Sequence, residues 1–204
     1  MNTFSTAITK LLHKENLSYE EMNVHFKRIL QNQESDMHQG AFLAALTAKG
    51  ETPDETRAVW QNIIEHDTVI ARPNVNGPIV ENSGTGMDSV KTFNISTLAA
   101  LCAAAGGVTI ARHGSRAITS TCGAVDILEQ VGVGVEVSPM VVKQSIEEAG
   151  IGLFNGMSSL VHPVALGRIL SQISFGTVLN TAASLANPAM PNYAVRGVYA
   201  KRCV

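Results

Sequence analysis

The chain has 204 residues, of which 45% are hydrophobic and 16% charged, and its formal net charge is −2 at pH 7. This balance predicts a folded, core-rich protein of one or two domains rather than a disordered one. The small net charge gives no general attraction to nucleic acid or to acidic membranes. The chain has no apolar run of membrane-spanning length and no signal-peptide pattern, and its three cysteines show neither metal spacing nor an even disulfide framework. We therefore expect a cytoplasmic protein.

The first 70 residues have helical periodicity throughout and predict an N-terminal helical domain. Ser18 and Glu21 have the spacing of a capping box, which marks the start of a helix. Gly50 is a natural helix stop, and Thr52 followed by proline marks the next start.

Residues 71–80 are rich in turn formers and predict a hinge or linker. From 81 to 204 the pattern changes to short apolar runs that alternate with helical segments. This alternation predicts a mostly parallel α/β domain. The predicted strands cover 79–80, 108–111, 151–154 and 193–199, and the predicted helices cover 96–105, 124–131 and 139–149.

The stretch from Asn82 to Thr97 predicts a strand, a glycine turn and the start of a helix. Gly84 and Gly86 mark a tight turn where a ligand can touch the backbone. Asn94, Ser96 and Thr97 can cap the helix and leave N–H groups at its positive end. Such a turn can bind an anion without a charged side chain.

Two nucleotide-binding motifs are excluded at this turn. The glycine-rich motif that binds dinucleotides needs a third glycine, which this turn lacks. The loop that binds nucleoside triphosphates needs a second glycine followed directly by Lys-Ser or Lys-Thr, and this turn has no such sequence at the required spacing. An ordinary strand-to-helix turn stays open as the simpler interpretation. The later cluster at 112–116, Arg-His-Gly-Ser-Arg, favours a binding site because it brings cationic donors to the same predicted sheet edge.

The order of these motifs is specific. It runs Gly84-Thr85-Gly86-x-Asp88, then Lys-Thr-Phe-Asn-Ile-Ser-Thr at 91–97, then Arg-His-Gly-x-Arg at 112–116 and a Ser/Gly-rich turn that ends at Asp126. In this order, and over essentially the whole chain, the sequence resembles the anthranilate phosphoribosyltransferase family, which shares its fold with the pyrimidine nucleoside phosphorylases.

The resemblance implies transfer of the phosphoribosyl group of phosphoribosyl pyrophosphate (PRPP) to an aromatic amine or base, anthranilate or a related acceptor, with release of pyrophosphate. It also implies Mg2+, a role in tryptophan biosynthesis, a homodimer formed by the helical domain, and the return of 162–187 to that domain. No catalytic side chain is implied, and Ser96 matches a magnesium ligand of the family. The implied substrate-binding residues are Gly84, Thr85, Gly86, Asp88, Asn94, Ser96, Thr97, Arg112, His113, Gly114, Ser115, Ser120 and Arg168.

The departures from the family pattern concentrate on the acceptor side. Met87 replaces a glycine, Ser115 replaces an acceptor-binding asparagine, and Arg168 is only a candidate for the arginine that reads the acceptor carboxylate. Arg112 stands where the family has lysine, which keeps the charge and changes its geometry. The family's chain is longer, and its Asp-Glu metal pair has no counterpart after Tyr199, so we expect a fragment, a truncated product or half of a split protein.

Two other functions stay open at this point. A pyrimidine nucleoside phosphorylase uses the same fold with inorganic phosphate. A catalytically silent relative would bind a partner or nucleic acid, although the balanced charge argues against nucleic acid.

Overall fold

A computed structural model describes residues 3–85, 93–117, 121–173 and 175–198. The N-terminal helices are α1 (Thr3–Leu12), α2 (Tyr19–Leu30), α3 (Asp36–Lys49) and α4 (Pro53–Asp67). The remaining elements are β1 (Ile79–Gly84), α5 (Ile95–Ala105), β2 (Thr109–Gly114), α6 (Ala124–Gln130), α7 (Pro139–Ala149), β3 (Ile151–Asn155), α8 (Leu166–Leu170), α9 (Val178–Ser184) and β4 (Tyr193–Gly197).

The helix boundaries follow the capping signals of the sequence. Ser18 and Glu21 form a reciprocal capping box at the start of α2, and Thr52 forms another with Glu55 at the start of α4. Gly50 ends α3 with a φ of 89°, a conformation that favours glycine. Local side-chain bonds to the backbone therefore set these helix ends.

One apolar core joins the N-terminal helices to a later part of the chain. Phe4, Phe26 and Phe42 are fully buried in it, and residues 165–186 contribute Leu166, Leu179 and several alanines. The indole N–H of Trp60 in α4 also donates a hydrogen bond to the Leu185 carbonyl at 3.0 Å. On this packing we propose that the helical unit consists of 3–67 together with 165–186.

The four strands form one parallel sheet in the order β3-β2-β1-β4. Residue Gly152 faces α7, because a Cβ there would lie 2.8 Å from the Ile146 side chain. Gly152 pairs with Ala111, and the next residue of β2, Arg112, reaches Thr97 of α5. Since neighbouring residues of a strand point to opposite faces, α5 and α7 cover opposite faces of the sheet.

The predicted fold class, a helical N-terminal domain with a mostly parallel α/β domain, is confirmed. The strand predicted at 79–80 is present: β1 begins at Ile79, where Ile79 and Val80 pair with neighbouring strands. Within the described ranges, no helix combines the length and apolar character needed to cross a membrane.

Candidate anion-binding site at the carboxyl edge of the sheet

A cavity of about 960 Å³ opens at the carboxyl ends of the strands. Gly84, Gly114 and Gly197 end three of the four strands, and all three line the cavity. Gly84 pairs with Gly197 across β1 and β4, so this part of the floor is bare backbone. Ligands of open parallel sheets bind at this edge.

The first turn of α5 forms one wall of the cavity. Asn94, Ser96 and Thr97 all line it. Asn94 occupies the N-cap position, but its side chain makes no capping bond. Its amide instead donates to the Gly123 carbonyl at 3.2 Å and so ties the start of α5 to the turn before α6. The expected role of Asn94 as a side-chain cap was wrong because this longer-range bond uses the amide.

Arg112 lines the cavity, although it is only 4% exposed. Its guanidinium donates to the Thr97 hydroxyl at 2.5 Å and to the Asn82 carbonyl at 3.1 Å. Burial lowers the pKa of Arg112 to about 10, and Glu81 opposes this shift. Arg112 therefore brings a positive charge to the cavity floor and orients a hydroxyl at the start of α5.

The turn after β2 is held by a carboxylate of α6. Asp126 accepts hydrogen bonds from the N–H groups of Ala117 and Gly123, both at 2.8 Å. Arg116 donates to Asp126 at 3.2 Å and to Glu129 at 2.7 Å, so its charge is already paired. These bonds to Glu129 and Asp126 raise the pKa of Arg116 further. Arg116 thus shapes the turn instead of offering a free cation.

Two buried imidazoles connect this edge to the helical unit. His113 Nε2 lies 3.1 Å from His162 Nε2, and His162 Nδ1 lies 2.8 Å from the Asp67 carbonyl. Burial lowers the pKa of both histidines, so both are neutral at pH 7. A carbonyl only accepts, so His162 carries its proton on Nδ1, and its Nε2 accepts a hydrogen bond from the Nε2–H of His113. This network fixes the ring of His113 at the cavity wall.

The described wall of the cavity carries no carboxylate. Its polar groups include the hydroxyls of Thr85, Ser96, Thr97 and Ser115 and the ring of His113. Among the residues that the structure describes, no group of three or more His, Cys, Asp or Glu is placed to hold a metal. Mg2+ needs oxygen ligands and commonly takes substrate phosphates together with few protein ligands. The hydroxyls, among them that of Ser96, therefore fit a magnesium ion that arrives with phosphate oxygens.

Three predicted residues, Gly86, Asp88 and Ser120, lie outside the described residues. Thr85 lines the cavity, but its N–H donates to the Gly197 carbonyl at 3.0 Å, so that amide does not face a ligand as expected.

The candidate role of Arg168 was also wrong. Its guanidinium donates to the Ile29 carbonyl at 3.0 Å and to the Gln39 side chain at 3.1 Å, inside the helical unit. It does not line the cavity, because α8 turns this side chain towards α2 and α3.

The cavity also has apolar lining residues. Phe93, Leu98 and Leu101 line it near the start of α5, and Leu170 and Leu179 line it from the helical unit. The helical periodicity of 166–185 indicated buried leucines but did not show which of them face a ligand. The cavity therefore joins a polar, donor-rich half at the sheet edge to an apolar half between the two parts of the chain.

Comparisons with known proteins agree with this architecture. Residues 5–67 match the helical bundle domain of a glycosyl transferase family, and residues 76–204 match the a/b domain of that family. The anthranilate phosphoribosyltransferase of Methanocorpusculum labreanum is 38% identical over 194 residues, which are 94% of this chain and 56% of that protein.

Solved structures give the same result. The anthranilate phosphoribosyltransferase (TrpD) from Thermus thermophilus superimposes with a TM-score of 0.82 at 34% identity, over 96% of this chain and 59% of that one. The enzyme from Saccharomyces cerevisiae in complex with PRPP and Mg shares the fold, with a TM-score of 0.84 at 24% identity over 98% of this chain and 60% of that one. The chain thus spans somewhat more than half the length of these relatives. It belongs to the glycosyl transferase family built from a helical bundle domain and an a/b domain, and within it aligns with the anthranilate phosphoribosyltransferases.

Proposed function

We propose that this cavity binds PRPP and that the protein transfers its phosphoribosyl group to an aromatic amine, anthranilate or a close analogue, with release of pyrophosphate. One observation carries the proposal: the glycine-ended strands, the first turn of α5 and the buried charge of Arg112 meet at one edge, and no described lining residue is acidic. Such a surface suits a ligand with several phosphate charges.

The two halves of the cavity suit the two substrates. The diphosphate would lie over the bare backbone of Gly84 and Gly197, near the hydroxyls of Ser96 and Thr97. The aromatic acceptor would lie in the apolar half, between Leu98 of α5 and the leucines of the helical unit.

In the proposed reaction the acceptor nitrogen forms a bond to C1 of the ribose as the C1–O bond to pyrophosphate breaks. Pyrophosphate keeps the electron pair, and the nitrogen loses its proton to water. The chain contributes by holding both substrates in line and by stabilising the leaving phosphates with fixed donors.

The proposed cofactor is Mg2+, with Ser96 as its one predicted protein ligand. When bound, the ion would neutralise charge on the diphosphate. The described lining residues, which are rich in hydroxyls and include no carboxylate, support binding of the metal and PRPP as a pair.

We also propose a cytoplasmic homodimer in tryptophan biosynthesis. The names of the relatives support the pathway, and the reduced thiols of Cys102 and Cys122 suit a reducing compartment. The exposed Met37 and Leu12 on the N-terminal helices offer apolar surface for the dimer.

Calorimetric titration with PRPP and MgCl2 tests the binding step. We expect saturable binding that weakens at least tenfold in Arg112→Met, because the variant removes the charge at the cavity floor. Arg57→Met is the matched control: Arg57 lies over the Tyr19 ring, away from the cavity, and should bind as the wild type does. Equal affinities for the two variants, or no heat at millimolar PRPP, would contradict the proposal.

The alternatives give different results in the same instrument. A nucleoside phosphorylase would bind inorganic phosphate with a pyrimidine nucleoside in place of PRPP, and the relatives do not favour it. A catalytically silent relative, which would bind a partner or nucleic acid, would release no pyrophosphate from PRPP in the presence of anthranilate.

A further inference from the structure

The helical unit brings two polar side chains to the apolar half of the cavity. Asn180 and Ser184 both line the cavity, together with Leu179 and Ala183 of the same helix, α9. Because Asn180 and Ser184 are four positions apart, they lie on one face of that helix, with their Cβ atoms about 6 Å from each other. An acceptor bound in this half would therefore meet both side chains.

Each of these side chains uses one hydrogen-bonding group within the helix and leaves another free. Asn180 Oδ1 accepts a hydrogen bond from the Thr177 N–H at 2.8 Å, which fixes the orientation of the amide. The NH2 group of Asn180 donates to no residue that the structure describes. The Ser184 hydroxyl donates its hydrogen to the Thr181 carbonyl at 2.7 Å, so its oxygen can only accept a further bond. This face of α9 therefore offers one free donor, from Asn180, and one free acceptor, from Ser184.

The cations among the described lining residues are both engaged elsewhere. Arg116 is paired with Asp126 and Glu129, and the buried Arg112 donates to the Thr97 hydroxyl of α5. A carboxylate that leaves water for an apolar site without a cation is strongly destabilised. A neutral carboxamide costs far less to bury once its carbonyl and its N–H are hydrogen-bonded. The charges and the free groups of this half therefore both favour a neutral carboxamide.

We propose that Asn180 and Ser184 select the acceptor, and that the cavity prefers an aromatic amine with a neighbouring carboxamide over one with a neighbouring carboxylate. The NH2 group of Asn180 donates to the carboxamide oxygen, and Ser184 Oγ accepts from the carboxamide N–H. A carboxylate has no N–H to donate, so one of its oxygens would face the lone pairs of Ser184 Oγ unless that hydroxyl gave up its bond to Thr181. The inference rests on the proposed function, because it names the class of acceptor that this cavity takes.

Calorimetric titration of the 204-residue chain with anthranilamide and, separately, with anthranilate tests this preference. The two compounds share the ring and the amine and differ in the carboxamide or carboxylate group alone. We expect anthranilamide to bind at least tenfold more tightly than anthranilate. Equal or weaker binding of anthranilamide, or no saturable binding of it, overturns the inference. Because no PRPP is present, such a result beside intact PRPP binding strikes the acceptor preference alone, whereas a loss of PRPP binding strikes the proposed function.

Substitutions on α9 assign the preference to the two side chains. Asn180→Asp keeps an oxygen for the Thr177 N–H but replaces the free donor, so anthranilamide should bind at least tenfold more weakly while the urea midpoint stays close to that of the wild type. Ser184→Ala removes the free acceptor and should lower the preference for anthranilamide over anthranilate about threefold or more. Asn76→Asp is the matched control, at an exposed position outside the cavity lining, and should bind both compounds as the wild type does. The proposal is overturned if Asn180→Asp and Asn76→Asp bind anthranilamide equally, or if Ser184→Ala leaves the preference unchanged.

Discussion

Glu81 makes the stability of this protein depend on pH in a predictable direction. The side chain is 1% exposed on β1, Oε2 lies 2.6 Å from the Arg196 guanidinium, and Oε1 has no hydrogen-bond partner among the described residues. Burial raises its pKa from 4.5 to about 7, although Arg196 and, more weakly, Asn187 oppose the shift. Burial outweighs the ion pair because half of the carboxylate loses its water without a well-placed replacement donor.

Proton linkage gives the direction in which the free energy of unfolding changes with pH. Between pH 4.5 and 7 the folded protein holds a proton on Glu81 that the unfolded chain has released, so the free energy of unfolding falls as pH rises. At about 1.4 kcal/mol per pKa unit, the loss attributable to Glu81 is roughly 3 kcal/mol and is complete near pH 8.

Urea denaturation of the wild type and Glu81→Gln from pH 5 to pH 8 measures this loss. Glutamine keeps the shape and cannot ionise, so the wild type should lose about 2.5 kcal/mol relative to the variant between pH 5 and pH 8. The control is Glu51→Gln, at an exposed position, whose free energy of unfolding should change with pH as that of the wild type does. The reasoning would be refuted if the difference in free energy of unfolding between the wild type and Glu81→Gln did not change with pH, or if the wild type became more stable as pH rises. Either result would show that Arg196 holds the Glu81 carboxylate ionised.

Two further substitutions test the contacts around the site. Asp67→Ala removes the carboxylate that accepts hydrogen bonds from three backbone N–H groups at the start of α8. Urea denaturation should show that the free energy of unfolding falls by about 2–4 kcal/mol, and a fall of less than about 1 kcal/mol would contradict this. Gly156→Ala places a methyl carbon 2.6 Å from His113 Nε2, so the affinity for PRPP measured by calorimetry should fall at least tenfold. Gly40→Ala is the control, because its methyl group meets nothing within 4 Å, and it should bind PRPP as the wild type does. Equal PRPP affinities for the two variants would count against a role for His113.

The fold could be predicted from the sequence because its signals are local. Capping residues such as Ser18 and Thr52 act within three positions, and β-branched runs bounded by glycine mark the strands. The sequence also predicted that the Gly84 turn and the Arg112 cluster lie close together, because the carboxyl ends of parallel strands share one edge of the sheet.

The contacts that tune the site could not be predicted because they join distant residues. Asp67 caps a helix almost one hundred positions later, and His162 is placed by the same residue's carbonyl. The directions of the Arg168 and Asn94 side chains depend on tertiary packing, which no local pattern encodes. The sequence therefore predicted the place of the site better than the role of each side chain in it.

The most direct test of PRPP binding is a crystal structure of the chain grown with PRPP and MgCl2. The diphosphate should lie over Gly84 and Gly197 beside the Ser96 hydroxyl, which would help to hold Mg2+. A cavity without PRPP at millimolar concentration, or PRPP bound at another surface, would contradict the account.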